Sequence, residues 1–324
     1  MRERMSAWVR SLQRRIVDEL ESHETSDVRF LRDAWTRPQG GDGMSCVIQG
    51  GETFEKAGVG VSVIHGKLPP AAVKQMRADH GGKFDWYDGV TLLPFVACGI
   101  SLIVHPRNPF APTVHFQSHR AKVTDPNEPD PGDGSAKPPK AWWFGGGTDL
   151  TPSYLFESDA RHFHRTIRAA CDAHSTAYYP RFKSWCDKYF RIPHRDESRG
   201  VGGIFFDDLG AGDASAEELF AFARECGESF LPSYIPILRR RCDAPFTEAN
   251  KLWQALRRGR YVEFNLVYDR GTQFGLRTPG ARIESVLMSL PLEANWLYQP
   301  QIGTQAGSRE ASTLEVLRKP RDWA

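Results

Sequence analysis

Apolar residues recur along this chain first at the spacing of a helix and then at that of strands. Trp8, Leu12, Ile16 and Leu20, with Val9 and Val17 beside them, predict an amphipathic helix over residues 6 to 22. Residues 28 to 35 read as a strand, and short apolar runs at 45–49 and 59–64 follow between glycine-bearing turns. A brief helix with proline in its first turn covers 70–77. Residues 98–104 and 113–123 then form two strands, joined by a proline-dense connection that forbids a helix. Two amphipathic helices come next: Ala160, Phe163, Ile167 and Cys171 face inward in one, and Phe182, Trp185, Cys186 and Tyr189 in the other. Residues 200–209 read as a strand ending in paired acids, and 215–240 and 246–258 as helical, with Arg258 and Gly259 as a basic last turn and cap. Val262, Phe264 and Leu266 alternate with Glu263 and Asn265, which predicts a strand over 261–268, and a helix is expected over 281–288. Strands and helices come in runs rather than in strict alternation, which favours an α+β fold with a mostly antiparallel sheet.

One stretch departs from simple patterning. Residues 141 to 152 run three large aromatics into Gly145, Gly146 and Gly147, then Asp149, then the helix-opening pair Thr151 and Pro152. Three glycines give up packing and backbone order unless the chain turns tightly or another molecule comes close. A strand, turn and helix cap explains them, and so does a ligand lying against the backbone.

With 42 basic and 40 acidic residues among 324, the net charge of +2 lacks the basic excess of nucleic-acid partners. Six cysteines without a C-x-x-C pair predict reduced thiols. No run approaches a membrane span, and the first residues lack the pattern of a secretory signal. A cytoplasmic location is therefore expected. Residues 124–140 are almost without apolar side chains and read as a flexible surface loop.

Several residues offer chemistry. His105, His115, His164 and His194 could together bind a divalent transition metal, with His105 and His115 on neighbouring strands; their irregular spacing favours ordinary hydrogen bonds at strand and helix ends. Asp149, the pair Asp207 and Asp208, Glu263 and Asp269 could hold an N–H donor or act as bases, or else cap helices and turns. Arg270, Arg277 and Arg282 sit among glycine turns, where guanidinium groups can grip carboxylates. G-x-S-x-G, G-x-G-x-x-G, the Walker lysine motif and H-E-x-x-H are absent, which disfavours the hydrolase, nicotinamide, nucleotide and zincin classes.

Four long motifs carry a resemblance. His105-Pro-Arg-Asn-Pro-Phe-Ala-Pro-Thr-Val-His115, Trp142-Trp-Phe-Gly-Gly-Gly-Thr-Asp-Leu-Thr-Pro152, Arg199-Gly-Val-Gly-Gly-Ile-Phe-Phe-Asp-Asp-Leu209 and Gly259-Arg-Tyr-Val-Glu-Phe-Asn-Leu-Val-Tyr-Asp-Arg-Gly-Thr272 resemble the oxygen-dependent coproporphyrinogen III oxidases, as does the ending Arg321-Asp-Trp323. The likeness covers nearly the whole chain outside 124–140. It implies a single domain, a broad antiparallel sheet flanked by helices on both faces, and a homodimer formed through the C-terminal region. It also implies oxidative decarboxylation of two propionates of coproporphyrinogen III to vinyl groups, with O2 as co-substrate, no organic cofactor, and CO2, H2O2 and protoporphyrinogen IX as products. A divalent metal at His105, His115, His164 and His194 is described for some members.

The resemblance further implies that Asp149 accepts from pyrrole N–H groups, that His115 donates a proton, and that Asp269 and Arg270 lie by the reacting propionate. Arg282, with the backbone of Gly280 and Ala281, holds another, and Ser101 contacts substrate. One segment departs from the family pattern His-x-Asn-x-Arg, reading His115, Gln117, Ser118, His119 and Arg120. Either a bulge brings Arg120 to the substrate or His119 takes over carboxylate binding. A histidine-cluster metal oxygenase of another aromatic acid and a tetrapyrrole-binding protein without turnover remain as alternatives.

Overall fold

Alternating apolar and polar side chains run through one seven-stranded antiparallel sheet, so each strand contributes to two different faces. The computed structural model describes residues 1–127, 139–278 and 280–324. The strands are β1 (Leu31–Thr36), β2 (Gly41–Gln49), β3 (Phe54–Leu68), β4 (Leu93–Pro106), β5 (Thr113–Val123), β6 (Ala141–Thr151) and, after the two-stranded ribbon of β7 (Arg191–Ile192) and β8 (Glu197–Ser198), β9 (Gly202–Leu209). Their order in the sheet is β1 to β6 and then β9. The helices are α1 (Arg2–Ser22), α2 (Pro70–His80), α3 (Glu157–Asp172), α4 (Tyr178–Tyr189), α5 (Ala216–Glu228), α6 (Phe230–Arg241), α7 (Glu248–Val267), α8 (Arg270–Arg277), α9 (Ile283–Leu287) and α10 (Arg309–Arg318).

One face of the sheet is built from Val59, Val61, Ile100, Leu102, Val114, Phe116, Phe144, Ile204 and Phe206, all buried. They merge into a single core with the apolar stripes of α1, α3, α5 and α6, among them Leu12, Ile16, Phe163, Phe222 and Phe230. Burial of this continuous apolar area supplies the main driving force for folding. Helix α4 wraps the β9 edge, stacking Tyr189 on Phe205 at 4.1 Å. The other face is covered by α7, α8 and α9: Tyr261 meets the His105 ring edge-on, and the Lys56 ammonium reaches the Leu287 carbonyl. The single α+β layer arrangement with helices on both faces is the expected one.

Four local expectations change. Residues 261–268 are not a strand; α7 continues through Gly259 to Val267. Tyr261, Phe264 and Asn265 are its buried face, an i, i+3, i+4 set that a stretch of alternating residues also satisfies. Gly259 is not a cap: a Cβ there would stand 2.6 Å from the Asn295 carbonyl, so close chain approach requires it. β6 runs unbroken from Ala141 to Thr151, with no turn at Gly145–Gly147, and α3 starts only at Glu157, so Thr151 and Pro152 open no helix. The stretch 215–240 is two helices meeting at Ser229. Of the predicted loop 124–140, residues 128–138 lie outside the described residues.

Candidate active site

Three rows of paired residues cross the sheet on its α7–α9 face. One runs Trp35, Gly43, Ser62, Gly99, His119, Gly145; the next Asp33, Ser45, Gly60, Ser101, Gln117, Gly147, Phe205; the third Gly58, Ile103, His115, Asp149, Gly203. Seven glycines on one sheet face are the reverse of a packed core, since each removes a side chain that would otherwise fill the space above the strands. Neighbours take much of that space: Met288 at the end of α9 stands over Gly58 and Gly60, Trp35 over Gly43, and His119 beside Gly99 and Gly145. The remainder is a cleft of about 340 Å³ between the sheet and the α8–α9 segment. Six of the predicted substrate residues line it together: Ser101, Gln117, His119, Gly280, Ala281 and Arg282. Gly280 has φ +73°, a left-handed turn position that a side chain would strain.

Ser118 and Arg120 are corrections. The β4–β5–β6 register is continuous across residues 115–121, so no bulge shifts the alternation and both side chains point to the helix side of the sheet. Arg120 lies over the Phe144 ring at 5.7 Å, and its burial there lowers its pKa. His119, not Arg120, faces the cleft. It fits because both neighbouring strands carry glycine beside it: a Cβ at Gly99 would meet its Cβ at 2.8 Å, and one at Gly145 its Cε1 at 2.4 Å.

Asp149 is only 1% exposed and does not form part of the cleft wall. Its Oδ1 accepts from His115 Nδ1 at 2.9 Å, and Arg199 Nη2 donates to both carboxylate oxygens at 2.9 and 2.8 Å. Arg199, which patterning did not single out, is caged by Phe190, Tyr261 and Phe264 with ring centroids 4.0 to 4.9 Å away, and donates to Asn265. Burial pushes the Asp149 pKa up, but the Arg199 charge and the His115 hydrogen bond outweigh it, and the net shift is downward. A carboxylate only accepts, so the His115 proton in this bond sits at Nδ1 and Nε2 stays outside it; His115, like Asp149, is not part of the cleft wall. Asp149 thus stands behind His115 rather than in the cleft wall.

Asp269 caps α8, accepting from the Thr272 amide and hydroxyl at 2.7 Å and from the Tyr189 hydroxyl at 2.9 Å. Arg270 beside it is 3.5 Å from Asp207, the first acid of the pair ending β9, and Asp207 is 3.7 Å from His119. Arg282 is anchored by Asp33 at the opposite end of the cleft. Glu263 turns away from the site, holding His194, Arg195 and Arg260.

The four histidines do not form a metal site. His105 bonds Thr113 and the Ser289 carbonyl, His164 bonds Tyr179 and the Val201 carbonyl, His194 bonds Tyr268 and Glu263, and His115 bonds Asp149. An imidazole nitrogen that donates to a carbonyl carries a proton and has no lone pair for a metal. Among the described residues no group of three or more His, Cys, Asp or Glu is placed to hold a metal ion. Adjacent strands put His105 and His115 on one face, but both His105 nitrogens are engaged by Thr113 and Ser289, and His115 is turned onto Asp149.

Burial has a different consequence for His164, whose pKa is pushed down to about 3. The unfolded chain takes up this proton as pH falls below the ordinary histidine range, and the folded chain does not. Stability is therefore full above about pH 6.5 and declines toward pH 3 by up to about 1.4 kcal/mol per unit. Denaturant midpoints between pH 7 and 5 are expected to fall less steeply for His164→Gln than for the parent; equal slopes would remove His164 from the acid response.

A cleft with Arg282 and His119 in its walls, and a buried Asp149–His115 pair on the neighbouring row, is the candidate site of this α+β protein. Residues 4–323 match the family described as Coproporphyrinogen III oxidase. The oxygen-dependent coproporphyrinogen-III oxidase of Drosophila melanogaster is 51% identical over 323 residues, covering 100% of this chain and 78% of that protein. The mitochondrial enzyme of Homo sapiens is 55% identical over 294 residues, 91% of this chain and 61% of its own length. Coproporphyrinogen-III oxidase 1, chloroplastic, of Arabidopsis thaliana is 50% identical over 323 residues, 100% of this chain and 79% of its own. The chain belongs to the coproporphyrinogen III oxidase family, a family of oxidoreductases.

The human and Arabidopsis relatives overturn the cytoplasmic expectation, since they are named mitochondrial and chloroplastic. An organellar address resides in a leader separate from the folded domain, so the packing and composition of the domain do not record it. No helix among the described residues is long and apolar enough to cross a membrane.

Proposed function

We propose that this protein converts two propionates of coproporphyrinogen III to vinyl groups, yielding protoporphyrinogen IX. For each propionate one O2 is reduced to H2O2, the side chain loses a β-hydrogen, and the carboxyl leaves as CO2. The observation that carries the reading is the family match along the whole chain, joined to a cleft whose walls suit such a substrate. The macrocycle is apolar at its centre and ringed by carboxylates; the glycine rows accept its bulk, while Arg282 at one end and His119 with Arg270 at the other accept its acids. His115, with Nδ1 held by Asp149, presents Nε2 to the reacting side. The electron-rich pyrrole is itself the reductant of O2, and the proposed chemistry uses neither an organic cofactor nor a metal.

Two copies are proposed to pair through the C-terminal region, where Leu292, Trp296, Leu297 and Tyr298 are all exposed apolar or aromatic side chains. Chelator-treated protein given coproporphyrinogen III in air is expected to form fluorescent protoporphyrin products with one H2O2 per CO2. Turnover that appears only after a divalent metal is added would overturn the metal-free chemistry. Binding without product would overturn catalysis.

A further inference from the structure

The pairing of β6 with β9 breaks register at one place. Phe144 pairs with Leu209 and Gly146 with Phe206, so Asp207 and Asp208 together oppose the single residue Gly145. This is a β-bulge, and Asp208 takes the left-handed conformation at φ +62° to make it. A non-glycine residue held there is strained, and the surrounding structure must offset the strain. What the bulge achieves is the placement of Asp207, which stays on the cleft face in line with Phe205. Its carboxylate lies 3.7 Å from His119 of β5 and 3.5 Å from Arg270 of α8. Gly145 is the other half of the arrangement: a Cβ there would stand 2.4 Å from His119 Cε1 and 2.7 Å from Asp207 Oδ1.

We propose that Asp207 is a positioning residue for substrate recognition, holding the His119 imidazole and the Arg270 guanidinium on one carboxylate so that a substrate propionate is received between them. The proposal rests on the functional reading above. Both separations exceed the roughly 2.7–2.9 Å of a tight charge-assisted bond. Asp207 thus orients the imidazole and the guanidinium without closing on them, and a guanidinium carries five N–H donors, so a second carboxylate can share it. Neither side chain is positioned by its own element alone, because His119 stands between two glycines and Arg270 is in the first turn of a short helix.

Anaerobic binding of coproporphyrinogen III, followed by quenching of tryptophan fluorescence, tests this without requiring turnover. Asp207→Asn, which keeps the shape and removes the charge, is expected to raise Kd about tenfold. Gly145→Ala, which pushes the pair apart, should do the same. In a His119→Ala background, Asp207→Asn should change Kd by less than about threefold, because the imidazole that it positions is gone. In aerobic assays the Asp207→Asn effect is expected in KM, with kcat within about twofold. A Kd within twofold of the parent, or the same loss in both backgrounds, overturns the positioning role. Loss of binding by the unaltered protein would instead overturn the functional reading, and a fall in kcat at constant KM would place Asp207 in the chemistry rather than in recognition.

Discussion

Replacing Asp149 by Asn is expected to lower kcat by about three orders of magnitude while KM stays within a few-fold and the circular dichroism spectrum is unchanged. The magnitude follows from what an amide does in this position. Asp149 accepts from His115 and, twice, from Arg199, all at 2.8–2.9 Å. An Asn side chain has one accepting oxygen and one donating nitrogen, so one of these partners must face a donor. If the nitrogen faces His115, the imidazole proton moves to Nε2 and the ring presents the wrong tautomer to the cleft, a change that in triad-type sites costs about 10⁴ in rate. If it faces Arg199, two donors meet in a buried site. KM is spared because Asp149 does not form part of the cleft wall. Single-turnover and steady-state rates with coproporphyrinogen III measure the loss; near-normal kcat would reduce Asp149 to a structural counter-ion of Arg199.

Parts of this site were legible in the sequence because strand parity is a strict rule. Once residues 113–123 are taken as a strand, His115, Gln117 and His119 must share a face, and Ser118 and Arg120 must take the other. The glycines of 145–147 were also legible as a cost needing a reason, although the reason was not a turn. They lie inside an extended strand, where a side chain at Gly145 would collide with His119 and Asp207 and one at Gly147 with the β9 backbone. Position along the chain says nothing about what stands across that space. Asp149 meets Arg199, Asp207 meets His119 and Arg270, and Arg282 meets Asp33 over separations that no periodicity reports. Arg199 in particular sits in a short connection before β9, where solvated arginines are common, and only the aromatic cage from α7 and Phe190 reveals its burial.

The misread segment shows the limit from the other side. Residues 261–268 satisfy both a period of two and a period of 3.6, and local pattern cannot choose between them. The choice is made by packing: Tyr261 and Phe264 on one helical face close over Arg199, whereas a strand would have sent them to opposite sides. Gly259 added to the error because the same residue type serves caps and close approaches alike.

That cage makes Arg199 the second large-effect position. Arg199→Met is expected to destabilise the protein by about 3–5 kcal/mol, since it leaves the fully buried Asp149 carboxylate without its cation. The same variant should also move the acid limb of the kcat profile to higher pH. Burial alone raises the Asp149 pKa, and the Arg199 charge is the foremost of the influences that bring it below the ordinary carboxylate value. Activity that needs the carboxylate is present above its folded pKa and lost as pH falls through it, so removing the charge shifts the loss upward. Arg199→Lys keeps the charge but has no planar fork to span both Asp149 oxygens and Asn265, nor a flat face for Phe190. It should fall between parent and Met variant in both readouts. Urea unfolding at pH 7 measures the stability change and a kcat profile from pH 5 to 8 the limb. A Met variant that is destabilised but keeps the parental limb would show that the group titrating in turnover is not Asp149, and that Arg199 serves the fold alone.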